Sequence, residues 1–91
     1  MTDFHTHTLL SDGALLPAEL IARAAAIGCR VIAITDHVDD SNIEDVIGKT
    51  LRFVKSVGAI SPLSVLCGVE LTHIPPDKIK GLVKRARKLG A

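Results

Sequence analysis

The ten residues from Arg30 to Asp39, RVIAITDHVD, constrain the fold of this chain more tightly than any other stretch. Val31 to Ile34, closed by Thr35, form an unbroken apolar run rich in β-branched residues, the pattern of a strand buried on both faces. Asp36 and His37 stand where that run ends. Metal-seeking or proton-transferring groups at the carboxyl end of a buried parallel strand mark the functional edge of α/β folds. The other segments can be placed relative to that edge.

Before it, Met1 to Phe4 leaves room only for a short first strand leading into His5, Thr6 and His7. A period of two would turn His5 and His7 to one side and Phe4 and Thr6 to the other. Ser11, Asp12 and Gly13 read as a turn. Pro17 suits the first turn of a helix and Gly28 its stop, with Ile21, Ala24 and Ala25 as the buried stripe. After the second strand, Ser41 or Asn42 can cap a helix in which Ile43, Val46, Ile47, Leu51, Val54 and Val57 recur at helical spacing, up to Gly58. Ser61 and Pro62 form a connector, and Leu63 to Val69 read as a third buried strand ending at Glu70. Pro75 and Pro76 then start a third helix, with Ile79, Leu82, Val83, Ala86 and Leu89 on one face and Gly90 as its stop. The order is βαβαβα, and right-handed crossovers make the three strands parallel. That topology brings His5, His7, Asp12, Asp36, His37 and Glu70 to one rim of the sheet.

A chain of 91 residues holds one domain, and an aromatic content of 2% requires its core to be aliphatic. The net charge of +1 argues against a general nucleic-acid binder, but its distribution is uneven. Met1 to Asp45 carry eight acidic against two basic residues, and Val46 to Ala91 two acidic against nine basic. The acidic half holds most of the histidines, which favours cations there. The basic excess between Lys78 and Lys88 has the spacing of a solvated helix face rather than a polyanion site. Cys29 and Cys67 lie in or beside apolar runs and read as reduced core thiols. Without a secretory signal or a spanning apolar run, the expected location is the cytoplasm, with no membrane partner.

The rim offers imidazoles from His5, His7 and His37 and carboxylates from Asp12 and Glu70, with Asp36 as a further possibility. Neutral imidazole and carboxylate suit Zn²⁺, Mn²⁺ or Fe²⁺. The donors outnumber what one tetrahedral ion needs, which suggests two or more ions sharing a carboxylate, with Glu70 as the candidate bridge. Paired ions can activate a water and hold phosphoryl oxygens during in-line attack. No serine has the G-x-S-x-G context, and no Cys–His pair is indicated. Taken singly, each residue has a plainer reading: an incidental His-x-His pair, Asp12 as a turn former, Asp36 orienting a histidine instead of binding metal. Together they place His, Asp or Glu at three successive strand ends. His73 can be a ligand, a substrate contact or a surface residue.

DFHTHTLLSDG at Asp3 to Gly13, ITDHVD at Ile34 to Asp39 and GVE at Gly68 to Glu70 closely resemble the first three motifs of the PHP domain, the polymerase and histidinol phosphatase family. The resemblance runs from about residue 2 to residue 90. It implies a distorted (β/α)7 TIM-like barrel, of which residues 1–91 would be the amino-terminal part, roughly a third to two fifths. It also implies two or three divalent metals, zinc, manganese or iron, at the carboxyl ends of the strands. His5 and His7 match the first-metal pair, Asp12 and His37 match ligands of a second ion, and Glu70 matches the bridging carboxylate. Asp36, Asp39 and His73 fall in the vicinity of ligands or substrate. The activity implied is hydrolysis of a phosphomonoester or phosphodiester, in a small phosphorylated substrate or nucleotide, by a metal-activated hydroxide. Later family motifs supply further ligands, so reduced or absent metal occupancy is expected for residues 1–91 alone. Their open sheet edge would be covered by a further carboxyl-terminal part or by self-association. Two other readings accompany this one: a metal-dependent amidohydrolase, which also carries His-x-His on its first strand, and an inactive structural or regulatory module that oligomerises.

Overall fold

The computed structural model describes residues 2–57 and 63–91, so the expected stop at Gly58 and connector at Ser61 and Pro62 lie outside the described residues. Strand and helix alternate as β1 (Thr2–Thr6), α1 (Pro17–Ala26), β2 (Val31–Ile34), α2 (Ile43–Val57), β3 (Ser64–Cys67) and α3 (Pro76–Leu89). The strands form one parallel sheet in the order β1-β2-β3. This is the βαβαβα arrangement expected from the sequence and the start of a (β/α) barrel.

The central place falls to β2, the most apolar of the three. Ile32 and Ile34 are buried and pack with Ile21 and Ala24 of α1, with Val65 of β3, and with Phe53, Val54 and Val57 of α2. Helices α1 and α2 therefore cover the same face of the sheet. A second cluster joins Ile43, Val46 and Ile47 of α2 to Leu82 and Ala86 of α3. Helix α2 belongs to both clusters, as its six periodic apolar positions require.

Three expectations need correction. β3 covers only Ser64–Cys67 and is not buried on both faces: Val65 is covered, while Leu66 is 48% exposed on the opposite face. Ala25 is exposed, and the stripe of α1 narrows to Ile21 and Ala24. On α3, Ile79 and Val83 remain 39% and 38% exposed, because only Leu82 and Ala86 meet α2 squarely. In each case the apolar pattern exceeds the surface that neighbouring elements offer it.

The helix ends follow local chemistry. Pro17 and Pro76 open α1 and α3, where a missing N–H costs nothing. Gly28, at φ 84°, lets the Cys29 amide return to the Ala24 carbonyl, and Gly90, at φ 114°, does the same for Ala91 and Ala86.

Candidate metal centre

The sheet does not stop at the end of its regular strands. Beyond β2 and β3, the Gly68 amide reaches the Ile34 carbonyl, Glu70 N–H donates to Asp36, and Val38 N–H donates to Glu70. An isolated parallel bridge thus sets His37 beside Glu70. On the other side, Thr35 N–H donates to the Thr6 carbonyl and Thr6 Oγ1 donates to Ala33 O at 2.6 Å, which holds β1 alongside β2 to its last residue.

β1 departs from strict alternation. Asp3 lies level with Ile32 and Thr6 with Ile34, so three steps along β1 match two along β2, the signature of a bulge. The irregularity falls at Phe4 and His5. A period of two therefore does not describe β1, although the rings of His5 and His7 still meet, their Nε2 atoms 3.2 Å apart.

Asp12 arrives on the loop between β1 and α1, and buried Asp36 shapes that loop. Its Oδ1 accepts the Thr8 amide at 2.5 Å and the Ser11 hydroxyl at 2.6 Å, and its Oδ2 accepts the Thr8 hydroxyl at 2.7 Å. The carboxylate is thus spent on the loop that carries His7 and Asp12, and it makes no hydrogen bond to a histidine among the described residues. Thr8, fully buried, accepts the Ser11 and Gly13 amides at its carbonyl. A Cβ on Gly13 would collide with the His7 carbonyl, so glycine lets Asp12 fold back onto the histidine. Thr8, and the bond that ties the turn residue Ser11 to Asp36, are not legible in the sequence, because only the folded loop shows what faces Asp36.

Five side chains converge on the rim. His5 Nε2 contacts Glu70 Oε1, and His7 Nε2 lies 2.8 Å from the same oxygen. His7 Nδ1 is 2.8 Å from Asp12 Oδ1, His37 Nε2 is 3.1 Å from Asp12 Oδ2, and His37 Nδ1 is 3.1 Å from Glu70 Oε2. His5, His7 and Glu70 form one group of mutually close donors, and His7, Asp12 and His37 another. Glu70 turns one oxygen to each side of the arrangement.

The Thr72 hydroxyl donates to Glu70 Oε2. That bond, then the contact with His5, brings the Glu70 carboxyl from its ordinary 4.5 down to about 2, with His7 and the charge of His37 adding to the effect against partial burial. Glu70 is therefore a carboxylate under all ordinary conditions, ready to accept a proton donor or a cation.

The donor set fits divalent metal. Two imidazole nitrogens facing each other at 3.2 Å repel unless a proton or a cation lies between them. Ligand nitrogens about 2.0–2.1 Å from a tetrahedral ion stand about 3.3 Å apart, close to the separation seen. Neutral imidazoles with ionised carboxylates are also the ligands that zinc, manganese and iron accept.

The three neighbours expected near ligands or substrate lie in different places. Asp36 is buried behind the loop, as described. Asp39 is exposed and accepts the Ser41 amide and hydroxyl at 2.7 and 2.5 Å, bonds that hold its carboxyl below the ordinary range. It organises the entry to α2 together with Asn42, whose side chain takes the Asp39 amide and donates to the His37 carbonyl. His73 lines a cavity of about 430 Å³ with Ser11, Asp12, His37, Asn42 and Thr72, open beside the histidine and carboxylate rim.

Residues 3–91 match the PHP domain. The chain is 50% identical over 90 residues to an uncharacterized protein of Methanocaldococcus jannaschii, covering 98% of this chain and 41% of that protein. It is 54% identical over 108 aligned positions to a 3′,5′-nucleoside bisphosphate phosphatase of Chromobacterium violaceum, covering 98% of this chain and 36% of that one. A 5′-3′ exoribonuclease of Haemophilus influenzae is 44% identical over 43 residues, 47% of this chain and 16% of the relative. The chain thus spans between 16% and 41% of the length of these curated relatives. Since the family match runs from the first motif to the last residue, the chain belongs to the PHP domain family.

Proposed function

We propose that these residues form the metal-holding rim of a phosphoesterase that acts on a small phosphorylated substrate of nucleotide type. The observation that carries the reading is the convergence of His5, His7, Asp12, His37 and Glu70, with donor atoms 2.8–3.2 Å apart along most of the cluster. The similarity to a nucleoside bisphosphate phosphatase supports the substrate class.

In this reading His5, His7 and Glu70 would hold one divalent ion, and Asp12 and His37, with Glu70, would hold a second. Bound there, the ions supply positive charge to phosphoryl oxygens and lower the pKa of water. His7 turns Nε2 toward Glu70 and Nδ1 toward Asp12, so a proton on Nδ1 donated to Asp12 fixes the tautomer that leaves Nε2 free as a ligand. Thr72 keeps Glu70 ionised and oriented. Asp36 holds the Thr8 to Ser11 loop so that Asp12 meets His37. Asn42 ties the His37 carbonyl to the start of α2. The cavity beside His37 receives the phosphorylated substrate.

The test is metal analysis of the full encoded protein, with hydrolysis of p-nitrophenyl phosphate and of a nucleoside 3′,5′-bisphosphate. Bound zinc, manganese or iron with phosphate release is the expected result. Metal with cleavage of an amide and no phosphatase activity would favour an amidohydrolase. A metal-free, inactive oligomer would favour a structural module.

A further inference from the structure

We infer that His73 is a substrate-contacting residue, set where the phosphoryl-binding cavity meets a second cavity that receives a sugar-sized, hydroxyl-bearing leaving group. The inference rests on the phosphoesterase reading and names the part of the substrate that lies beyond phosphorus.

His73 is the only non-glycine residue with positive φ among the described residues, at 60°, in the segment between the Thr72 that holds Glu70 and the start of α3. Its imidazole has no hydrogen-bond or ion-pair partner among the described residues and is exposed. It walls two cavities at once. One is the space of about 430 Å³ beside Asp12 and His37. The other, of about 260 Å³, runs outward past Asp39, Ser41, Ile74, Pro75 and Lys78. Small-molecule sites are commonly about 300–1,000 Å³, so the second space falls short alone but serves as one half of a groove.

The lining of the second cavity defines its ligand. Asp39 and the neighbouring Asp40 offer carboxylate oxygens, which accept hydrogen bonds from hydroxyls. Lys78 lies 3.8 Å from Asp40, and Arg85 lies 3.4 Å from it, so the charge of these cations is partly balanced by the acid. Ile74 and Pro75 present an apolar wall suited to the C–H face of a sugar ring. A ribose joined to the scissile phosphate matches that mixture, and His73, between the two spaces, is placed to hydrogen-bond the substrate where sugar and phosphate join.

The experiment compares the full encoded protein with His73→Gly, which removes the ring but accepts the positive φ, and with His73→Asn, which keeps a polar group in a conformation asparagine tolerates. Metal content, kcat/KM for D-ribose 5-phosphate and for p-nitrophenyl phosphate, and NMR shifts of the His73 ring on adding D-ribose 5-phosphate are read in parallel. Loss of one substrate hydrogen bond predicts about a tenfold drop in kcat/KM for the sugar phosphate in His73→Gly, partial recovery in His73→Asn, unchanged metal content, and less than about a threefold change for the aryl ester. Ring shifts in the unaltered protein show the contact without turnover. Unchanged sugar-phosphate kinetics in His73→Gly, absent ring shifts, or equal losses on both substrates with loss of metal overturn the proposal. Failure of the unaltered protein to cleave p-nitrophenyl phosphate would instead overturn the phosphoesterase reading.

Discussion

At the scale of single residues, the site is built from donors whose oxygens and nitrogens are nearly all committed in advance. His7 is the most connected of the histidines, meeting His5, Glu70 and Asp12 with its two ring nitrogens. Replacing even an outer partner of a metal ligand costs about 10–100-fold in affinity, so His7→Ala should lower metal affinity by at least about 100-fold and turnover with it, as metal titration and initial rates will show. Thr72 acts through Glu70. Thr72→Val should raise the Glu70 pKa from about 2 toward 4.5 in metal-free protein, read from the side-chain carboxyl carbon by NMR. The sign follows from linkage: a carboxyl depressed on folding adds stability that is fully present above 4.5 and is lost as pH falls toward 2. The variant should therefore show a smaller difference in urea midpoint between pH 6 and pH 3. Asp36 works from behind the site. Asp36→Asn replaces an oxygen that accepts from Thr8 or Ser11 with a donor, and should cost about 1.5–3 kcal/mol in denaturant unfolding while loosening the loop that carries Asp12.

At the scale of elements, α2 joins the two hydrophobic clusters, and its strength sets how well they hold together. Gly48 lies inside it, and a Cβ there would meet no atom within 4 Å. Gly48→Ala should therefore stabilise the protein by about 1 kcal/mol and raise Tm by about 4–8 °C, measured by thermal unfolding. A lower Tm would show that the glycine serves a packing role outside the helix. The strands divide the work differently. β2 brings the apolar centre of the sheet, β1 brings a bulge that adjusts His5, and β3 is continued by the Glu70 bridge that sets its carboxylate beside His37. On α3, Arg85 pairs with Glu44 at 2.7 Å and with Asp40, so part of the basic excess of this helix fastens it to α2.

At the scale of the whole molecule, the described residues form a slab about 40 Å long and about 20 Å across. Helices lie on one face of the sheet, and on the other Leu66 is half exposed. Phe4, on the flanking strand β1, is 64% exposed. Among the described residues β1 and β3 each have a neighbour on one side only. Such edges and apolar surface seek partners. Residues 1–91 expressed by themselves should self-associate at micromolar concentration, with Leu66→Lys shifting the equilibrium toward monomer in sedimentation velocity. A monomer with or without the substitution would remove that expectation.

The periodicity of α2, the apolar run of β2 and the position of His or Glu after each strand were legible as a sequence, because helix and strand periods and the polarity of strand ends are local properties of the chain. The three motifs carried the family for the same reason. The bulge in β1, the commitment of Asp36 to Thr8 and Ser11, the role of Thr72 at Glu70 and the exposed face of β3 were not legible. They depend on which groups meet in the folded chain, Thr8 and Ser11 lying 28 and 25 positions from Asp36, on how the Glu70 and Thr72 side chains turn toward each other, and on how much surface each neighbour covers. Local pattern determined which elements form and where their polar ends lie. Packing in three dimensions alone decided which polar atoms face one another, and with that which of them converge on the rim and which hold that rim in place.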